Sequence, residues 1–135
     1  MNKSTEYRAG RTVVFQLTIH LVFVTKYRKC FFSKKMLDSL NSIFTTVCKK
    51  LDCNLLACDG EKEHVHLILD YPPKLAISKI VNSLKGVSSR ILRKEFEKEI
   101  YYKGVLWSPS YFVSTTGGET LEKVKQYVQQ QNTPK

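Results

Sequence analysis

His64-Val65-His66 opens an alternating run that continues through Leu67-Ile68-Leu69-Asp70-Tyr71, and a strand along it points both imidazoles to one face. Paired imidazoles are the beginning of a metal site. Near the end of the chain, Tyr127 and Gln131 stand at i, i+4 spacing, so a helix there puts a phenol and an amide on one side. Phosphodiester cleavage by a tyrosine needs a phenolic oxygen aimed at phosphorus, a Lewis acid that draws charge from the phosphate, and a stabilised leaving oxygen. Tyr127 supplies the first, and an ion on His64 and His66 would supply the other two. A phenol with an ordinary pKa of roughly 10 must be activated as it attacks. Two imidazoles, an amide oxygen and open positions suit Mg2+ or Mn2+, the latter better matched to nitrogen. Each residue also has a plainer reading: an isolated His-x-His fits satisfied core histidines, and an isolated tyrosine fits a packed helix interface.

The elements that would position these groups follow from periodicity. From Val13, the residues Val13, Phe15, Leu17, Ile19, Leu21 and Phe23 alternate with Val14, Gln16, Thr18, His20, Val22 and Val24, which predicts one long strand. Ser33 is placed to cap a helix whose apolar positions are Met36, Leu40, Ile43, Phe44, Val47 and Leu51. Asn54 to Cys58 reads as a short strand, Asp59-Gly60 as the start of a turn, and the histidine strand ends at Pro72-Pro73. Ile77, Ile80, Val81 and Leu84 begin a second helix that runs past Gly86 toward Phe96, and a strand is expected between Trp107 and Thr115, after Pro109. A final helix from 119 to 131 carries Leu121, Val124 and Val128 beside Tyr127 and Gln131.

The order β-α-β-β-α-β plus a terminal helix predicts an α+β fold of the ferredoxin-like, split βαβ kind, with an antiparallel sheet, helices on one face and a C-terminal helix carrying the tyrosine. The first and third strands are then central neighbours. Gln16, Thr18 and His20 fall beside His64 and His66 on the face away from the helices. One domain spans 1–135, with 1–11 expected to be flexible, 116–118 (Thr116-Gly117-Gly118) a hinge and 119–131 a mobile tyrosine helix.

Lys and Arg number 22 against 12 Asp and Glu, a net charge of +10 on 135 residues, which points to a polyanionic partner. The same excess can also serve as a solvated surface. Lys26, Arg28 and Lys29, with Lys85, Arg90, Arg93 and Lys94, are the candidate DNA phosphate contacts, and Tyr27, Tyr111 and Phe112 are either base-stacking or core residues. No apolar run approaches bilayer length and Met1 to Arg11 is polar, so no membrane association is expected and the location is expected to be cytoplasmic. Cys30, Cys48, Cys53 and Cys58 lack close C-x-x-C pairs and read as small buried hydrophobes in a reducing compartment.

Several segments together carry a family resemblance: Thr25-Lys26-Tyr27-Arg28 at the end of the first strand, Glu63-His64-Val65-His66, and Leu84-Lys85-Gly86-Val87-Ser88-Ser89-Arg90. To these are added the block from Leu106-Trp107-Ser108-Pro109 to Thr115 and the Gly-Gly turn ahead of Tyr127. On these the chain resembles the small single-tyrosine transposases of the HUH nuclease superfamily, the TnpA proteins of minimal insertion sequences. The resemblance implies a metal held by His64, His66 and Gln131, with Tyr127 as nucleophile. It further implies cleavage and rejoining of single-stranded DNA at insertion-sequence ends through a 5′-phosphotyrosine, recognition of DNA hairpins and no nucleotide cofactor. A homodimer with active sites shared in trans is expected from the same resemblance and from the apolar Leu121, Val124 and Val128. The alternatives are a domesticated relative that processes palindromic repeats, and a ferredoxin-like RNA-binding or hairpin-processing protein.

Overall fold

Alternation sends Ile19, Leu21 and Phe23 of the first long strand to one face, where they meet the buried faces of two helices and build two layers around one core. The computed structural model describes residues 7–100 and 106–116. Its elements are β1 (Arg8–Ala9), β2 (Val14–Phe15), β3 (Thr18–Val24), a 3-10 turn (Lys26–Arg28), α1 (Lys34–Lys50), β4 (Asn54–Gly60), β5 (His64–Asp70), α2 (Ile77–Glu95) and β6 (Phe112–Thr115). The main sheet has the order β4-β5-β3-β6. Each neighbouring pair is antiparallel. This is the expected split βαβ plan, with the first and third strands of the plan, β3 and β5, at its centre.

Ile19, Leu21 and Phe23 of β3 and Val65, Leu67 and Leu69 of β5 pack in one cluster with Met36, Leu40 and Phe44 of α1 and Ile80, Val81 and Leu84 of α2. Both helices therefore cover the same sheet face. Each such side chain contributes about 1.5–3 kcal/mol by leaving water. Helix α1 starts where Ser33, in an extended conformation, accepts a hydrogen bond from the Met36 N–H. It stops at Leu51, after which Asp52 adopts a left-handed φ of 61°. Helix α2 runs unbroken through Gly86, where an added Cβ would meet nothing within 4 Å.

The predicted long strand from Val13 is divided in the structure. Val14–Phe15 pairs with Arg8–Ala9 in a separate two-stranded sheet, and only Thr18 onward enters the main one. The reason lies on the partner strand. Thr18 sits opposite Asp70, the Tyr71 N–H donates to Leu17 O at 3.0 Å, and the next residues, Pro72 and Pro73, have no N–H to extend the ladder. Within the 1–11 stretch, Arg8 anchors the small sheet: its guanidinium donates to Asp70 Oδ1 at 2.6 Å and to Asp52 Oδ1 at 3.0 Å. Asn54 Nδ2 completes the cradle by donating to both Asp70 oxygens at 3.2 and 3.1 Å. The expected strand between Trp107 and Thr115 is shorter than its pattern, with β6 covering Phe112–Thr115 and Trp107 forming only a bridge to Thr25. Residues 117–135, with the hinge glycines and the helix expected to carry Tyr127 and Gln131, lie outside the described residues. Among the described residues no helix is long and apolar enough to cross a membrane.

Candidate functional site

Because the helices occupy the Leu67 face, alternation along β5 sends His64, His66, Ile68 and Asp70 to the other. Antiparallel register brings Val24 opposite His64, Val22 opposite His66 and His20 opposite Ile68, and residues directly opposite share a face. A register shift between Leu55 and Ala57 in β4 places Asp59 opposite His66. Without that extra residue, period-two alternation would turn Asp59 toward the helices.

The two site imidazoles are held differently. His66 is 1% exposed, and its Nδ1 lies 3.1 Å from His20 Nε2, with the rings stacked at 5.2 Å between centroids. Phe112 packs its edge on His20 from the neighbouring strand, at 5.9 Å. His64 stands nearly perpendicular to His66, centroids 4.9 Å apart. Its Nδ1 lies 2.8 Å from Glu63 Oε1, and Glu61 Oε2 stands 3.6 Å from its Nε2. A neutral imidazole that donates through Nδ1 offers its Nε2 lone pair as a ligand atom, and a carboxylate or imidazole at Nδ1 fixes both ring plane and tautomer. Both rings have such a neighbour. The two carboxylates around His64 also make a cation at its Nε2 electrostatically favourable.

The residues present therefore fit a divalent ion in type and orientation, but they do not complete its shell. Among the described residues no three His, Cys, Asp or Glu side chains form a group able to hold a metal. Gln131, the third expected ligand, and Tyr127 lie outside the described residues. The structure adds His20, Glu63 and Glu61 to the site. Glu63 precedes β5, so its side chain escapes the alternation that would otherwise point it away from His64.

The basic candidates fall into two places. Lys26 and Arg28 lie in the 3-10 turn after β3, and Lys29 follows them. Lys85, Arg90 and Arg93 of α2 line a cavity of about 570 Å³ together with Asn82, Trp107 and Tyr111. Lys94, in the last turn of α2, is exposed and is not part of that lining. Lys85 is half-buried and spends its ammonium on the loop before β6, donating to Ser108 O at 2.6 Å and Ser110 O at 3.0 Å. Burial lowers its pKa. Trp107 is a core residue that donates its indole N–H to Ser88 Oγ at 2.9 Å. Burial pushes the thiols of Cys48 and Cys58 up to about 12 and that of Cys53 up to about 11. Cys48 and Cys53 are buried as expected and Cys58 is half-buried, whereas Cys30, expected to be buried with them, is exposed.

The family model described as "Transposase IS200 like" matches residues 13–131. The ISDra2 transposase TnpA of Deinococcus radiodurans is 31% identical over 129 residues, covering 94% of this chain and 92% of that protein. The transposase for insertion sequence element IS200 of Salmonella typhimurium is 32% identical over 114 residues, 83% of this chain and 74% of that protein. A crystal structure from Deinococcus radiodurans R1 superposes with a TM-score of 0.77 at 32% identity, over 92% of this chain and 97% of that one. A REP-associated tyrosine transposase bound to a REP hairpin shares the fold, with a TM-score of 0.59 at 16% identity, over 92% of this chain and 68% of that one. A paired-histidine strand at the centre of this sheet, a family match over most of the chain and two relatives above 30% identity agree: the chain belongs to the IS200-like transposase family.

Proposed function

We propose that this transposase cuts and rejoins single-stranded DNA at the ends of an insertion sequence, with Tyr127 as nucleophile and with DNA hairpins as the recognised structures. The observation that carries the reading is the pair His64 and His66 on one face of β5, each with Nδ1 engaged by a neighbour. A divalent ion, Mg2+ or Mn2+, would be held by His64, His66 and Gln131, and when bound it would draw charge from the scissile phosphate and stabilise the leaving oxygen. His20 and Glu63 keep the two imidazoles turned toward that position. The Tyr127 oxygen gives up its phenolic proton to solvent and forms a bond to phosphorus while the bond to the 3′ oxygen breaks, and that oxygen takes up a proton from solvent and leaves as a free hydroxyl. DNA stays joined by its 5′ phosphate to the tyrosine. Attack by another 3′-hydroxyl reverses the step, so bond energy is conserved and no nucleotide cofactor is required.

The basic residues Lys26, Arg28, Lys29, Arg90, Arg93 and Lys94 would counter the phosphates of the bound strand, with Lys85 shaping the cavity that Arg90 and Arg93 line. The TnpA relative and the hairpin-bound structural neighbour support this choice of substrate. The working unit is a homodimer with composite sites, acting in the cytoplasm. Incubation with hairpin-bearing single-stranded oligonucleotides and Mn2+ should give a protein-DNA adduct on a denaturing gel. Tyr127→Phe should bind the same DNA and give none. Adduct at normal yield in Tyr127→Phe would reject the nucleophile, and equal affinity for RNA hairpins would favour a binding module instead. In a mixture of Tyr127→Phe with a His64→Ala, His66→Ala double mutant, adduct should reappear if sites are shared between subunits.

A further inference from the structure

The turn Lys26-Tyr27-Arg28 is the most strained described segment of the backbone. Tyr27 has φ 60° and ψ 20°, and Arg28 has φ 51°, so two consecutive residues with side chains occupy the left-handed region that favours glycine. Such a conformation persists only where the surroundings impose it. Here they do. Thr25 is fully buried, its N–H donates to Glu63 O at 2.9 Å and its hydroxyl donates to Lys29 O at 2.9 Å. The Arg28 N–H donates back to Thr25 O at 2.9 Å, and the Lys26 N–H donates to Leu106 O at 3.0 Å.

All this bracing displays a side chain that contributes nothing to the core. Tyr27 is 78% exposed, and the Lys26 ammonium stands over one side of its ring, 5.3 Å from the centroid. A single exposed aromatic is unremarkable by itself. One held out on a doubly strained, cross-tied turn and surrounded by cations is different. The turn is also next to the site: Val24, two residues before it, pairs with His64, and Thr25 bonds the backbone of Glu63, whose carboxylate holds the His64 ring. Two residues of strand span about 7 Å, which brings the turn close to the imidazoles.

We propose that Tyr27 is a stacking platform for one unpaired base of the single strand beside the histidine site, with Lys26 steadying the ring and meeting the backbone phosphate. This rests on the reading that the ligand is single-stranded DNA. Aromatic faces accept any base, so the platform would set where the strand lies without reading its sequence.

Glycine provides a clean test, because Tyr27→Gly removes the ring while suiting the left-handed backbone. Binding of an unstructured, fluorescein-labelled DNA oligonucleotide is followed by anisotropy in excess chelator, where no cleavage can occur. Tyr27→Gly should bind about tenfold more weakly, Tyr27→Trp should bind as wild type does, and the thermal midpoint of Tyr27→Gly should not fall. Replacing bases one at a time by abasic sites should reveal one position that weakens wild-type binding and leaves Tyr27→Gly unaffected. Wild-type affinity in Tyr27→Gly, an identical abasic profile in both proteins, or a drop in thermal midpoint that accounts for the lost binding would each overturn the proposal. Adduct formation is not read here, so failure of the Tyr127 chemistry and failure of the platform are separate results.

Discussion

Replacing His20 by phenylalanine isolates what the buried histidine contributes to the site. Phenylalanine can keep the ring plane that stacks on His66 at 5.2 Å and the edge contact with Phe112, but it deletes the nitrogen 3.1 Å from His66 Nδ1. His66 is only 1% exposed, so its Nδ1 has no water to turn to. Leaving a buried polar atom without its partner costs about 1–3 kcal/mol of stability. The functional loss is separate. Outer-shell partners of a metal-binding imidazole are worth roughly 10–100-fold in affinity. The expected outcome is therefore a folded protein whose Mn2+ dissociation constant rises by that factor, measured by calorimetry or by the resonance signal of free Mn2+, with a lower denaturant midpoint in chelator. His20→Gln, which restores a hydrogen-bonding group near the lost nitrogen, should recover part of the affinity, and a His64→Ala, His66→Ala control should bind no Mn2+ at this site. Wild-type Mn2+ affinity in a folded His20→Phe, alongside loss in the control, would refute the claim that His20 orients His66.

Other consequences follow from the same geometry. Gly60→Ala should destabilise the fold by about 1–3 kcal/mol, because an added Cβ would stand 2.9 Å from His64 O and 2.8 Å from Leu37 Cδ2; unchanged thermal stability would show that the β4–β5 turn yields more easily than its contacts suggest. Hairpin affinity should fall steeply with salt, and Arg93→Ala should reduce the magnitude of the log-log slope by about 1 if that residue meets a phosphate; an unchanged slope assigns Arg93 to the surface instead. A thiol reagent at neutral pH should modify Cys30 rapidly, and Cys48 and Cys53 only after unfolding. Folding raises the pKa of Cys48, Cys53 and Cys58, so the folded state holds protons that the unfolded chain has lost above pH about 9, and stability should decline from there toward pH about 12. A flat stability profile across that window would contradict the burial of these thiols.

The parts of the fold that were legible in the sequence are those set by local periodicity. Ile19, Leu21 and Phe23 announce their face, Ser33 its cap, and Pro72-Pro73 the end of the histidine strand. What escaped depends on residues distant in sequence. The alternation of β3 continues smoothly back to Val13, and only the prolines that follow β5, more than 50 residues later, decide that the main sheet stops at Thr18. Lys85 looked like one more cation on a basic helix face, yet its acceptors are carbonyls 23 and 25 residues away. His20 was placed on the correct face by alternation, but its direct bond to His66 depends on the register of β3 against β5, which composition and spacing do not specify. Glu63 was visible as part of Glu63-His64-Val65-His66, and its role was not, because strand periodicity ceases to constrain a side chain one residue before the strand begins.

The two ends of the β3–β5 pair are finished in different ways, and the difference explains why the candidate chemistry sits at one of them. At the Asp70 end an ion pair with Arg8 and two hydrogen bonds from Asn54 consume the carboxylate entirely within the protein. At the His64 end three separate segments are tied together through backbone groups: Thr25 to Glu63, Phe32 to Lys62, Lys26 to Leu106 and Ser108 to Val24, with Thr25 bridged to Trp107. Main-chain ties fix the backbone and leave side chains available, so this rim can be stiff and still present Tyr27, Lys26, Glu61 and His64 outward. A site that must place a phosphate between a nucleophile and an imidazole pair loses rate steeply with small displacements, which favours building it where loops are cross-braced by the sheet. The strain at Tyr27 and Arg28 belongs to the same design: the rim is held in a shape the isolated segment would not choose, and the buried Thr25, Leu106 and Trp107 supply the force that holds it.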